Sequence, residues 1–174
     1  CALPILILLG IVFIFLSATT MYHHISLIFE ANSIVPNGTL VEVDGRKIHI
    51  YAEGDKGNKP TLVFMSGSAT VAPVYDFKSL YRMLSDEYRI VVVEKSGYGY
   101  SEIYEVERDI DTMLNEVRQG LILAGEKGPY VLFPHSMSGL EAISWAQQYP
   151  EEVLAIVGLD MAVPRSEERR VGKE

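Results

Sequence analysis

Four short apolar runs, TLVFM (61–65), RIVVVE (89–94), PYVLF (129–133) and VLAIVGL (153–159), alternate with stretches of helical spacing, and this alternation limits the fold more than any other feature. Successive side chains of a strand point to opposite sides, so a strand that is apolar at consecutive positions must bury both of its faces. Covering both faces takes helices. Tyr75 to Asp86 places Phe77, Leu80, Tyr81 and Leu84 on one stripe. A second helix, roughly Glu107 to Ala124, repeats the spacing at Ile110, Met113, Leu114, Val117, Leu121 and Ala124 and is stopped by Gly125. A third runs from Ser138 to Tyr149. Strands alternating with helices in this way predict an α/β fold, a mostly parallel sheet with helices on both faces joined by right-handed crossovers. Ahead of it, LVEV (40–43) and KIHIYA (47–52) flank Asp44-Gly45, a pair suited to the positive φ angles of a two-residue hairpin turn.

Residues 2–21 (ALPILILLGIVFIFLSATTM) carry no charge and approach the ~20 residues that a helix needs to cross a ~30 Å hydrocarbon layer. The organisation expected is a transmembrane anchor over 1–21, a linker over 22–37, the α/β domain over 38–164 and a charged tail over 165–174. Leu16 sits where cleavage after Ala18 would want a small residue, which favours an uncleaved anchor over a signal peptide. Cys1 leads at once into apolar sequence instead of a polar tether, so no lipid anchor is read from it. Tyr22, His23 and His24 are expected at the headgroup level. The first Lys or Arg is Arg46, so nothing just after the anchor would hold that side in the cytoplasm. The expectation is a single-pass membrane protein with its domain extracytoplasmic. The tail RSEERRVGKE shows neither periodicity nor turn chemistry and reads as foreign to the fold.

A formal charge of -8 argues against nucleic acid as a partner, because an acidic surface repels the phosphate backbone. The single cysteine excludes an internal disulfide framework. The four histidines show no zinc-ligand spacing, and no metal or other cofactor is expected.

The stretch YVLFPHSMSGLEAISWAQQYP (130–150) joins a buried strand to a helix through one sharp turn containing Ser136. A serine on such a turn projects its hydroxyl above the sheet, and the backbone N–H of Met137 then lies at a helix N-terminus, where it can stabilise an oxyanion. The residues two before and two after the nucleophile must be compact. Pro134 and Ser138 meet that demand around Ser136, whereas a nucleophile at Ser138 would put bulky Leu140 in the second position.

Pro134-His135-Ser136-Met137-Ser138-Gly139 resembles the Gly-His-Ser-Met-Gly-Gly elbow of the α/β-hydrolase family, with two glycines replaced. Ser66-Gly67-Ser68 follows the third strand where that family carries His-Gly-x. Glu94 to Ser101 (EKSGYGYS) resembles its Asp-x-x-Gly-x-Gly-x-Ser turn, and Tyr149-Pro150 with Val153 resembles its Tyr-Pro-x-x-Val. The resemblance covers residues 40 to 164. It implies a serine hydrolase acting on a small-molecule ester, amide or related acyl substrate. Ser136 would attack, and the N–H groups of Ser68 and Met137 would hold the oxyanion. In the family the triad runs Ser, acid, His in chain order. Asp160 ends a strand where some relatives place the acid, beside the plainer reading of a structural residue, and no histidine follows His135. The chain as given is therefore expected to be nearly inactive, and its open sheet edge to favour aggregation. The replaced glycines and Ser66 in the place of the usual His sustain an alternative, a non-catalytic homologue serving as a membrane-attached binding module. Of the remaining features, GYGYS is expected to be a structural turn, because Glu102 occupies the last glycine position of a GxGxxG phosphate loop. His135 is expected to point away from Ser136, and His49 to be a half-buried strand residue.

Overall fold

A computed structural model of the chain describes residues 3–55, 57–105 and 107–164; Cys1 and the tail over 165–174 lie outside the described residues. The chain divides into two compact units between Val35 and Pro36.

The first unit is one helix, α1 (Leu3–Ser33). Pro4 falls in its first turn, where a missing N–H costs nothing, and no proline follows until Pro36. The helix therefore runs past the apolar stretch and takes in residues 22–33, which the sequence suggests as linker. Thr19 and Thr20 donate their hydroxyls to main-chain carbonyls one turn back, the arrangement that keeps a hydroxyl satisfied in an apolar medium. Over Leu3–Ala31 the helix is long and apolar enough to cross a membrane, a description that a signal sequence also meets.

The second unit is a six-stranded sheet with helices on both faces. Its strands are β1 (Thr39–Val43), β2 (Arg46–Glu53), β3 (Thr61–Met65), β4 (Ile90–Glu94), β5 (Tyr130–Pro134) and β6 (Val153–Ile156), in spatial order β1-β2-β4-β3-β5-β6. β1 and β2 form an antiparallel hairpin through Asp44 (φ 50°) and Gly45 (φ 76°), and β2 runs antiparallel to β4. From β4 to β6 every pairing is parallel.

The two-residue period of the central strands builds a core on each face. Val63, Met65, Val91, Val93 and Leu132 point to the side covered by α4 (Ile110–Leu123) and α5 (Ser138–Gln148), against Leu114, Val117, Leu121 and Trp145. Leu62, Phe64, Ile90 and Val92 point the other way, against Val74, Phe77 and Tyr81. Asp109 caps α4 by accepting the N–H of Thr112 at 2.7 Å, and Gly125 (φ 73°) follows its end. Behind α5, Glu152 accepts from Arg118 Nε (2.8 Å) and Trp145 Nε1 (2.7 Å), which ties α4 to the segment leading into β6.

The helix expected over Tyr75–Asp86 is broken. The chain instead forms two single turns, α2 (Pro73–Asp76) and α3 (Lys78–Tyr81), followed by turns as far as Tyr88. Hydrogen bonds there alternate between three- and four-residue spacing, as in Leu84 N–H to Tyr81 and Ser85 N–H to Tyr81. Aromatic packing sets this course. Phe77 and Tyr81 both close on Phe64, and Tyr81 Oη donates to the Val74 carbonyl at 2.9 Å. Phe77 and Tyr81 are buried as the stripe requires, while Leu80 faces solvent.

Candidate active site

β5 delivers the chain to a sharp turn at Ser136, and α5 starts two residues later. Ser136 sits at φ 52°, in the left-handed region that costs a side-chain-bearing residue free energy and is kept where the surroundings enforce it. Those surroundings are visible. The N–H of His135 donates to Met65 (2.9 Å) and the Pro134 carbonyl accepts from Leu159 (2.8 Å), which pins the turn between β3 and the segment that prolongs β6. The Ser136 carbonyl accepts from Gly139 (3.1 Å) and from Ala162 (2.7 Å). Ser138, at the place of a family glycine, is buried and directs its Oγ to the carbonyls of Met65 and His135, both at 2.8 Å. Its hydroxyl is thus taken up in holding the turn. Ser136 is partly exposed, and its Oγ has no hydrogen-bond partner among the described residues.

Close packing forces two glycines around this turn. A Cβ at Gly67 would stand 2.7 Å from Ser136 Cβ and 2.9 Å from the His135 carbonyl oxygen. A Cβ at Gly139 would stand 2.2 Å from the Ala162 carbonyl oxygen, so only a glycine lets α5 begin against the segment after β6.

Ser68 and Met137 lie on the loops following β3 and β5, and neither backbone N–H meets an acceptor among the described residues. The N–H of the next residue, Ala69, is by contrast taken by Tyr98 Oη at 3.1 Å, with Ala69 held at φ 60°. Both Ser68 and Met137 border one cavity of about 370 Å³. Asp160 is exposed at φ 50°, just past the Leu159–His135 bridge that prolongs β6 beside β5. Asp160 and Ser136 therefore follow the same ends of adjacent parallel strands.

Comparison with known proteins sets this geometry in context. No family model matches the chain. An uncharacterized protein of Bacillus subtilis, YbdG, is 47% identical over 165 residues, which is 90% of this chain and 50% of the relative. The 2-(acetamidomethylene)succinate hydrolase of Mesorhizobium japonicum is 27% identical over 106 residues, 61% of this chain and 37% of that protein. The crystal structure of epoxide hydrolase A from Mycobacterium thermoresistibile superposes with a TM-score of 0.64 at 26% identity, covering 79% of this chain and 43% of that one. The chain has the α/β-hydrolase fold. It spans about half the length of the curated relative it matches over most of its own residues.

Within that α/β-hydrolase framework, the GYGYS segment has a structural task. The Glu94 carboxylate collects the N–H groups of Tyr100 (2.8 Å) and Val74 (3.3 Å), and lies 2.9 Å from His49 Nδ1. Ser101 Oγ donates to the Glu94 carbonyl and accepts the His49 N–H. Gly99, at φ 50°, is required because a Cβ there would meet Glu94 Oε2 at 1.9 Å. Burial pushes the Glu94 carboxyl up, but the hydrogen bonds from His49, Tyr100 and Val74 outweigh it and hold the group below the usual carboxylate range. His49 is fully buried, not half-buried as its strand position suggests. Its Nδ1 is taken up by this turn, while Nε2 is buried without a hydrogen-bond partner among the described residues. His135 is exposed, with its ring edge toward Phe77, so neither histidine of this unit hydrogen-bonds Ser136.

The sequence gives less notice of a charged pair on the cavity wall. Lys95, directly after β4, places Nζ 2.6 Å from Oε1 of Glu141 on α5, with the two side chains 4% and 3% exposed. One signal exists: Glu141 shares the inward stripe of α5 with Ala142 and Trp145, and a carboxylate on a core face needs a partner. A larger groove of about 610 Å³ lies at the opposite ends of the strands, between the segments leading into β3 and β5, remote from Ser136. Among the described residues, no group of histidine, cysteine and carboxylate side chains is gathered to hold a metal.

Proposed function

We propose that the protein is a serine hydrolase that cleaves an ester, amide or related acyl substrate through Ser136. The observation that carries this reading is the φ of 52° at a serine between β5 and α5. Such a conformation costs free energy, and a turn that only had to cap a helix would adopt glycine there. The same cost weighs against the alternative of a non-catalytic binding module, which would gain nothing from the strain. In the proposed reaction Ser136 Oγ attacks the carbonyl carbon while its proton passes to a base. The N–H groups of Ser68 and Met137 stabilise the tetrahedral oxyanion. Its collapse expels the leaving group, which takes up the proton, and water then releases the acyl group as an acid. We assign the base to none of the described histidines and place it, by analogy with the family, in the half of the relatives' length that this chain does not span; without it the chain retains little activity. Asp160 is the candidate acid, on the strength of its position beside the elbow. α1 is proposed to attach the protein to a membrane with the hydrolase unit on the extracytoplasmic side, and no part is assigned to nucleic acid. The names of the relatives span several substrates, so the substrate must be argued from the site itself.

The test is turnover of p-nitrophenyl acetate by the full-length protein. The reading expects a burst of nitrophenolate matching the active fraction, followed by steady hydrolysis, with both lost in Ser136→Ala. Unchanged turnover in that variant would exclude Ser136 as the nucleophile.

A further inference from the structure

The Lys95–Glu141 pair is an unexpected group to find beneath an acyl-transfer site. A buried ion pair gains little over well-packed apolar side chains of similar volume, since desolvating two charges consumes most of their attraction. Stability alone gives α5 no reason to carry Glu141 beside Ala142 and Trp145. The pair is also incompletely matched. Lys95 holds Oε1 at 2.6 Å, whereas Oε2 is buried without a hydrogen-bond partner among the described residues. Leaving a buried charged oxygen unpaired is costly, and a donor supplied by a ligand would remove that cost. Both side chains border the 370 Å³ cavity that Ser68 and Met137 also border, and Glu141 stands only five positions after Ser136.

We propose that this cavity receives the acyl arm of the substrate and that Glu141 Oε2 accepts a hydrogen bond from an O–H or N–H carried on that arm. Lys95 is the positioning residue: by holding Oε1 at 2.6 Å it leaves Oε2 as the oxygen without a partner. The protein thus selects hydroxylated or amide-bearing acyl groups over plain alkanoyl groups. The acyl arm is assigned to the cavity because it stays on the serine through both steps, which suits a recess floored by buried side chains. The leaving group departs first and needs an open path. This inference rests on Ser136 being the nucleophile.

The experiment compares p-nitrophenyl hexanoate with its 3-hydroxy and 6-hydroxy counterparts on the full-length protein, each rate referred to that ester's alkaline hydrolysis. A fluorophosphonate titration of Ser136 gives the active fraction. The better hydroxy ester should exceed hexanoate in kcat/KM by about ten- to a hundredfold, the range for a hydrogen bond to a charged acceptor. Glu141→Gln leaves Lys95 buried without its counter-charge and risks misfolding, so the deciding variant is Lys95→Met with Glu141→Leu, which removes both charges at similar volume. It should still titrate at Ser136 and lose the preference, so that all three esters turn over at equal referred rates. Normal titration with equal rates on all three esters in the wild type, or a preference that survives in the double variant, would overturn the pocket proposal and leave Ser136 standing. Absence of both titration and turnover in the wild type would overturn both.

Discussion

Strain at Ser136 should be measurable as a difference between two inactive variants. Ser136→Ala removes the hydroxyl but keeps a Cβ at φ 52°, whereas Ser136→Gly removes the Cβ for which that conformation is unfavourable. A left-handed residue with a Cβ costs roughly 1–2 kcal/mol. Glycine returns part of this through its freer unfolded chain, about 0.5–1 kcal/mol. The net expectation is that Ser136→Gly is more stable than Ser136→Ala by about 1 kcal/mol. For a unit of this size that is a Tm difference of roughly 3–5 °C. Urea and thermal unfolding of the two variants, with m-values compared, is the assay. If Ser136→Gly is equal to or less stable than Ser136→Ala, the turn is not strained and the main support for a nucleophile at this position is lost.

Three further outcomes are expected. Gly67→Ala should lower stability by about 1–3 kcal/mol, as overpacking does, and slow fluorophosphonate labelling by about a hundredfold because the new methyl displaces Ser136; unfolding curves and labelling rates check both. Ser138→Ala should cost about 1 kcal/mol by removing its hydrogen bonds to Met65 and His135, yet leave labelling intact, which separates the two serines. Because the Glu94 carboxyl is held below its unfolded value of about 4.3, its stabilising contribution is complete above that pH and is lost as pH falls through the lower folded value. Thermal melts from pH 7 to pH 3 should show a steeper fall for the wild type than for Glu94→Gln; parallel curves would contradict the assignment.

Elements defined by neighbouring residues were legible in the sequence. The apolar strands, the Asp44-Gly45 hairpin, the end of α4 before Gly125 and the turn at Ser136 all follow from local pattern and turn chemistry. What was not legible depends on partners distant in the chain. The segment Tyr75–Asp86 has a helical stripe, yet Phe77 and Tyr81 answer to Phe64 on the sheet and break the helix into single turns. His49 meets Glu94 and Lys95 meets Glu141 across more than forty residues, so neither pairing leaves a periodic trace. Pro134 and Ser138 depart from the family's glycines, and only the structure shows how each is accommodated: the Pro134 carbonyl still accepts from Leu159, and the Ser138 hydroxyl finds two carbonyls.

The central claim is that Ser136 is the nucleophile. Its most direct test is to label the full-length protein with a fluorophosphonate, digest it and locate the adduct by mass spectrometry. The account predicts a single phosphonylated residue, Ser136, with labelling abolished in Ser136→Ala and kept in Ser138→Ala. An adduct on Ser138 or Ser66, or no adduct on a protein that turns over acyl esters, would contradict it.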